Sequence, residues 1–271
     1  MRLKLFHIDA FTNVLFAGNP AAVVPLDEWL PDDLMQQIAF ENNLAETAFF
    51  VKRGDVYELR WFTVAREVDL CGHATLATAF VLFDELQFPG DEIRFTTRSG
   101  ELIVKRSGKS LLMDFPAIDS SPAAPEDARS LPGDLRPVEV LTSKQNLMVV
   151  LNSESEVARF DPDASGMRIE GSHGVMLTAR GEEVDFVSRC FYPEFRVEED
   201  PVTGSAHCQL APYWSKVLNK STLRARQLSK RGGEMLCEVR GQRVFLTGSA
   251  LTYLEGNFRL PSILNARNTL P

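Results

Sequence analysis

The sequence predicts an α+β protein built from two similar halves, each a curved β-sheet wrapped around one buried helix. Three observations carry this. Strand-like segments dominate the chain. Each half contains one helical segment that is apolar on every side. A proline-rich stretch near the middle separates the halves. Among residues 116–137 fall Pro116, Pro122, Pro125, Pro132 and Pro137, mixed with Ser, Ala and Asp. Such a stretch holds neither a continuous helix nor a central strand. It places the boundary between domains 1–117 and 118–257, with the tail 258–271 a candidate for completing the first domain.

In the first half, residues 3–10 and 21–25 alternate like strands. Pro31-Asp32-Asp33 suits a helix start, and Leu34, Met35, Ile38 and Ala39 give that helix its apolar stripe up to Asn42-Asn43. Residues 47–51 and 57–64 again read as strands. Cys71-Gly72 then opens the segment 73–83, which lacks a polar face and is therefore predicted to be buried all round. Strands at 92–97, 101–106 and 110–115 leave no second helical layer to bury it, so the sheet must curve around it. The second half repeats the plan: strands at 138–143, 147–152, 174–179 and 184–192, an apolar helix at 206–218, then strands at 223–228, 235–239 and 244–246. Pro212 inside that helix is expected to kink it or loosen its first turns. Phe62, a loop and Gly72-His73-Ala74-Thr75 align with Phe191, a longer loop and Gly204-Ser205-Ala206-His207.

Composition narrows the function. The 271 residues include 29 basic and 37 acidic side chains, a net charge of −8. No long basic run offers a nucleic-acid footprint, and Lys216–Lys230 reads as a solvated face. No apolar run reaches the ~18 residues that cross a bilayer. The N-terminus moves straight into a strand pattern, without an apolar signal core. A cytoplasmic protein is expected, with Cys71, Cys190, Cys208 and Cys237 as reduced thiols.

The two helix starts are the first candidates for chemistry. The first N–H groups of a helix lack internal partners and carry about half a positive charge. Gly72 and Gly204 allow close approach to that backbone, so two such ends facing one cleft would hold a substrate carboxylate. Either glycine alone is equally readable as a tight strand–helix turn. Cys71 at a helix start should have a stabilised thiolate, although residues two apart on a helix rarely face each other, which separates it from His73; a small buried residue is the plainer reading. His73 has no apolar reason to open an apolar helix and is a candidate donor or acid/base. Pro201 pushes Asp200 out of helical conformation, which aims its carboxylate at the second helix start. Glu198 and Glu199 read as solvated loop acids, and Ser205 as a hydroxyl satisfying backbone groups. Glu46, at the entry to an apolar strand, would be desolvated and raised toward neutrality as a proton shuttle, or is an exposed strand start. A Cys₂His₂ set of Cys71, His73, His207 and Cys208 has awkward spacing for zinc. Nucleotide, flavin and metalloprotease motifs are missing, so neither metal nor cofactor is expected.

Several ordered motifs carry a family resemblance over nearly the whole chain: Asp9-Ala10-Phe11-Thr12 with Gly18-Asn19-Pro20, Asn43-Leu44-Ala45-Glu46-Thr47-Ala48-Phe49, Cys71-Gly72-His73-Ala74-Thr75, Glu199-Asp200-Pro201-Val202-Thr203-Gly204-Ser205-Ala206 and Arg231-Gly232-Gly233-Glu234. The sequence resembles the phenazine-biosynthesis PhzF-like isomerases of the diaminopimelate epimerase-like superfamily. The resemblance implies two pseudo-repeated β-barrel-like domains, an active site in the interdomain cleft, a homodimer and no cofactor. It implies Glu46 as general acid/base moving a proton on a dihydro-hydroxyanthranilate-type substrate. His73, Asp200, Gly204 and Ser205 would line the site, joined by Asn19; Cys71, Gly72 and Thr203 complete the candidate set at the helix starts. The paired cysteines of the superfamily's amino-acid epimerases correspond to Cys71 and Thr203. A threonine hydroxyl is too weak an acid to replace a thiolate. The expectation is therefore a cofactor-independent isomerase acting on a small carboxylate. A thiol-dependent epimerase or racemase and a non-catalytic binding protein are the alternatives.

Overall fold

The computed structural model describes residues 1–124, 131, 135–143, 146–162, 174–192 and 197–260. Pro125 and Pro132 of the proline-rich stretch, and the tail beyond 260, lie outside these residues. The chain packs as two compact units: Met1–Ala10, Pro20–Val104 and the chain from Ala250 in the first, Phe11–Asn19 and Lys105–Ser249 in the second. These limits differ from the linker-based ones. Strand β8 (Ser110–Pro116), which ends on the first of the prolines, pairs from Leu111 to Pro116 with β17 (Arg243–Gly248) and so belongs to the second unit.

The first unit holds β1 (Arg2–Ala10), β2 (Asn19–Leu26), α1 (Asp32–Asn42), β3 (Glu46–Arg53), β4 (Val56–Phe62), β5 (Glu67–Val68), α2 (Gly72–Phe80), β6 (Glu92–Thr97), most of β7 (Gly100–Ser107) and β18 (Ala250–Arg259). β1 runs antiparallel to β18. β2 and β3 are parallel, β4 is antiparallel to β3 and β5, and β6 is parallel to β4. α1 starts after Pro31 and ends where Asn43 turns left-handed at φ 49°, a conformation asparagine tolerates. It packs Leu34, Met35, Ile38 and Ala39 against Val24, Phe49, Val51 and Phe62.

The second unit follows the same path. After β9 (Ser121–Pro122), β10 (Glu139–Thr142) and β11 (Asn146–Val150) come α3 (Glu154–Arg159), β12 (Gly174–Arg180), β13 (Phe186–Tyr192), β14 (Val197–Asp200), α4 (Gly204–Leu218), β15 (Thr222–Gln227) and β16 (Gly233–Arg240). β11 is parallel to β12, β13 is antiparallel to β12 and β14, and β15 is parallel to β13. The repeat read from Phe62/Gly72 and Phe191/Gly204 is thus a repeat of strand order and pairing. It extends to an ion pair. Arg60 on β4 forks onto Glu67 of β5 (Nε–Oε1 2.7 Å, Nη2–Oε2 2.8 Å), as Arg189 on β13 forks onto Glu199 of β14 (2.6 and 2.9 Å). Each guanidinium also lies 5.2 Å over the phenylalanine two residues on, Phe62 or Phe191. Glu199 is therefore not a solvated loop acid.

The two predicted apolar helices are the buried ones. In α2 every residue from His73 to Ala79 is buried. Thr75 and Thr78 satisfy their hydroxyls on carbonyls four residues back, Cys71 O at 2.6 Å and Ala74 O at 2.7 Å. The helix ends in a single π-turn, Val81–Glu85. α4 runs unbroken through Pro212. Proline orphans the carbonyl four residues before it, here that of Cys208, and the backbone N–H of Ile118 donates to that oxygen at 2.9 Å. The linker thus supplies what the helix lacks.

His207, fully buried in α4, uses Nδ1 on Thr203 O at 2.8 Å, while its Nε2 has no partner. Burial, only partly opposed by the Thr203 carbonyl, pulls its pKa down to about 4. The unfolded chain takes up this proton first, near pH 6.5. Stability contributed by the neutral ring is therefore complete above pH 6.5 and is lost as pH falls toward 4, by about 3 kcal/mol in all. Urea unfolding of the wild type and His207→Gln across this range should show a shallower acid-side loss in the variant.

Candidate active site

The predicted residues gather into two clusters, one at the start of each buried helix. In the first unit, the left-handed turn at Asn43 delivers the chain into β3, whose first residue is Glu46, paired with Ala21 of β2. Its Oε2 lies 3.0 Å from His73 Nε2, with the side chains 17% and 6% exposed. His73 Nδ1 in turn lies 3.5 Å from Cys71 Sγ. The separation argued from helix geometry does not hold here. Cys71 is the extended N-cap (φ −146°, ψ 110°), outside the helical repeat, so its sulfur folds back onto the imidazole.

Charge follows from this packing. Burial and the Glu46 carboxylate push the Cys71 thiol up to about 11, against the pull of His73. The thiolate expected at a helix start is thus suppressed at neutral pH. Burial opposes a charged His73, but the Cys71 sulfur and the Glu46 carboxylate outweigh it and hold the imidazole well above 6.5. The cluster thus sets a buried thiol, an imidazole and a carboxylate side by side, and Glu46 meets the His73 ring as well as the apolar strand.

In the second unit, Asp200 ends β14 and Thr203 caps α4 in extended conformation. The Thr203 hydroxyl donates to Asp200 Oδ2, and Asn19 Nδ2 donates to Asp200 Oδ1 and to Val202 O, both at 2.8 Å. The Asn19 amide thereby orients Asp200 and holds the Val202 carbonyl. The loop before it is clamped by Arg231, which donates to Gly18 O at 2.8 Å and Ala17 O at 2.9 Å, and by the Gly18 N–H to Gly232 O. A Cβ on Gly233 would lie 2.5 Å from Val202 Cγ2 and 2.8 Å from the Phe11 carbonyl. Gly233→Ala is therefore expected to cost about 1–3 kcal/mol by overpacking, measurable as a lowered urea midpoint.

Neither α2 nor α4 has a side-chain cap on its N-terminus, whereas α3, on the surface, is capped by Ser153. Gly72 is half-buried and Ser205 exposed, so both starts are reachable. At α4 the cap N–H is already taken by Gln227 Oε1 at 2.9 Å, while Gln227 Nε2 holds Asp200 O at 2.7 Å. Gln227 was missed in sequence, although alternation along Leu223, Ala225 and Gln227 marks its inward face. Tyr192 was also missed. Its ring lies where a Cβ on Gly174 would sit, 2.3 Å from Cε1. Its hydroxyl is buried. Burial, with Cys190 and Asp200, raises its pKa well above 10, against Thr203 and Ser205.

Among the described residues, the ligand atoms that converge are those of Glu46, Cys71 and His73, all within 4.8 Å of one another. His207 and Cys208 turn onto their own helix at Thr203 O and Gly204 O, so the Cys₂His₂ set does not form. A cavity of about 410 Å³ lies at the other end of α4, lined by Arg180, Asp185, Leu218, Lys220 and Arg224, and contains no predicted site residue. No helix among the described residues is long and apolar enough to cross a membrane.

A family profile for phenazine biosynthesis-like proteins matches residues 8–256, a span containing every residue of both clusters. The chain belongs to the PhzF family. An "uncharacterized isomerase" of Pseudomonas aeruginosa is 50% identical over 260 residues, covering 96% of this chain and all of that protein. A PhzF-family crystal structure from Enterococcus faecalis superposes with a TM-score of 0.90 at 46% identity, over 96% of this chain and all of that one. The PhzF fold is diaminopimelate epimerase-like. A hydroxyproline epimerase from Agrobacterium vitis shares it at a TM-score of 0.60 and 12% identity, over 97% and 94% of the two chains.

Proposed function

We propose that this PhzF-family chain is an isomerase that moves a proton on a small carboxylate-bearing substrate by general acid/base catalysis, without a cofactor. The observation that carries the reading is the 3.0 Å contact between Glu46 and a buried His73 at an uncapped helix start. The name of the P. aeruginosa relative supports the reaction class. In this reading Glu46 takes a proton from a carbon beside a conjugated system. The electron pair left behind delocalises, and the Glu46 carboxylic acid returns the proton to another carbon of the same system. Nothing is oxidised or lost. The His73 imidazolium aligns the carboxylate and offers positive charge to the developing anion. The uncapped N–H groups of a helix start take the substrate carboxylate, and Asp200, held by Asn19 and Thr203, accepts a hydrogen bond from its polar substituent.

A thiol-dependent epimerase is disfavoured by two observations. The Cys71 thiol is raised to about 11, and the Thr203 hydroxyl at the matching helix start is committed to Asp200. The test is a panel of unsaturated and amino-substituted carboxylates, dihydro-hydroxyanthranilates among them, incubated in deuterated water and read by NMR. Carbon-bound deuterium with a shifted double bond is expected. Saturable binding without exchange across the panel points instead to a binding protein on this fold.

A further inference from the structure

We propose that Glu46, Cys71 and His73 form a three-ligand site for zinc, and that its occupancy blocks the proton transfer assigned above. The binding half stands on geometry; the inhibitory half rests on the isomerase reading. His73 Nε2 lies 3.0 Å from Glu46 Oε2 and 4.0 Å from Cys71 Sγ, and all three donors fall within 4.8 Å. A tetrahedral zinc with bonds of about 2.0–2.3 Å places its donors roughly 3.3–3.8 Å apart. Glu46 Oε2 and His73 Nε2 already lie near this spacing, and the Cys71 sulfur, now closer to Nδ1 at 3.5 Å, closes the site by swinging about its χ1 toward Nε2.

The three donors come from a strand start, an extended cap and a helix, so each is fixed by separate backbone. Cys71 and His73 are buried, which keeps competing water away. Thiolate, imidazole and carboxylate together select zinc or cobalt over magnesium, which prefers oxygen. The balance is simple. Zinc displaces the thiol proton of Cys71 and takes the Nε2 lone pair of neutral His73, so thiolate and carboxylate balance the charge of the ion and the occupied site is neutral. Glu46 then holds a metal where it would hold the substrate's proton.

Cobalt(II) titration of chelator-treated protein tests this. One equivalent should produce the thiolate-to-cobalt charge-transfer band, and zinc should displace it. Cys71→Ser should abolish the band, and Glu46→Gln should keep it while lowering affinity at least tenfold. No band, or a band that survives Cys71→Ser, overturns the site. If that variant fails to fold, proton release decides: release of the Cys71 thiol proton on zinc binding to the wild type supports the site, and no release overturns it. Deuterium exchange that persists in zinc-saturated protein overturns the inhibition. Zinc binding by a protein that exchanges no substrate proton when metal-free removes the isomerase reading and leaves the site standing.

Discussion

Arg189→Met is expected to destabilise the protein by about 3–5 kcal/mol, a large share of a typical domain's stability. The Arg189 and Glu199 side chains are only 10% and 18% exposed. Removing the guanidinium leaves a carboxylate in a place where water reaches it poorly. It also strips the Phe160 carbonyl of a donor at 2.5 Å and the Val157 carbonyl of one at 3.4 Å. The double variant Arg189→Met/Glu199→Leu should recover much of the loss, because an apolar pair of similar volume carries no stranded charge. The matching change in the first unit, Arg60→Met, should cost less. Glu67 keeps Arg98 at 2.7 Å after Arg60 is gone. Urea midpoints of the four proteins separate these outcomes. Equal losses at Arg60 and Arg189 would show that burial of the stranded carboxylate is not what sets the cost.

Glu46→Gln is expected to lower the isomerisation rate by about 10²–10⁴-fold, the usual worth of a positioned acid/base. The substitution keeps the length of the side chain and an oxygen facing His73, so the fold and the binding of carboxylates should survive. What it removes is the atom that carries the proton. It also removes the carboxylate that favours charge on His73, whose burial then favours the neutral ring. Asp200→Asn should act differently. Asp200 accepts from Asn19 and Thr203, so its loss loosens the second cluster and should raise KM more than it lowers kcat. A loss in kcat at Asp200 as large as at Glu46 would place Asp200 in the proton path instead.

Much of this was legible in the sequence because it follows from local pattern. A helix with no polar face must be buried, and the glycine before each one marks its start. His73 stands out at the start of an apolar helix, Glu46 at the entry to an apolar strand, and Asp200 before the proline that turns the chain into the second helix. What stayed hidden depends on strand pairing, which sequence spacing does not encode. Glu199 looks solvated until the β13–β14 ladder sets it against Arg189. The Arg189 signal was present, since an arginine within the apolar run of β13 needs a buried partner. Pro212 looks disruptive until Ile118 supplies the missing donor from far along the chain. Cys71 looks reactive by its helix position, but burial beside a carboxylate outweighs the helix end. The hold of the Asn19 amide on Asp200, far along the chain, is likewise invisible in the spacing. The repeat was visible only in its Gly-start helices, whereas strand order and the Arg–Glu forks make it a duplication of the whole half.

The central claim is that one carboxylate, rather than a thiol, carries the substrate proton. Deuterium incorporation at substrate carbon, followed by NMR side by side in Glu46→Gln and Cys71→Ser in metal-free buffer, tests it most directly. The account predicts that exchange disappears in Glu46→Gln and continues in Cys71→Ser. Exchange that survives in Glu46→Gln and vanishes in Cys71→Ser would contradict it.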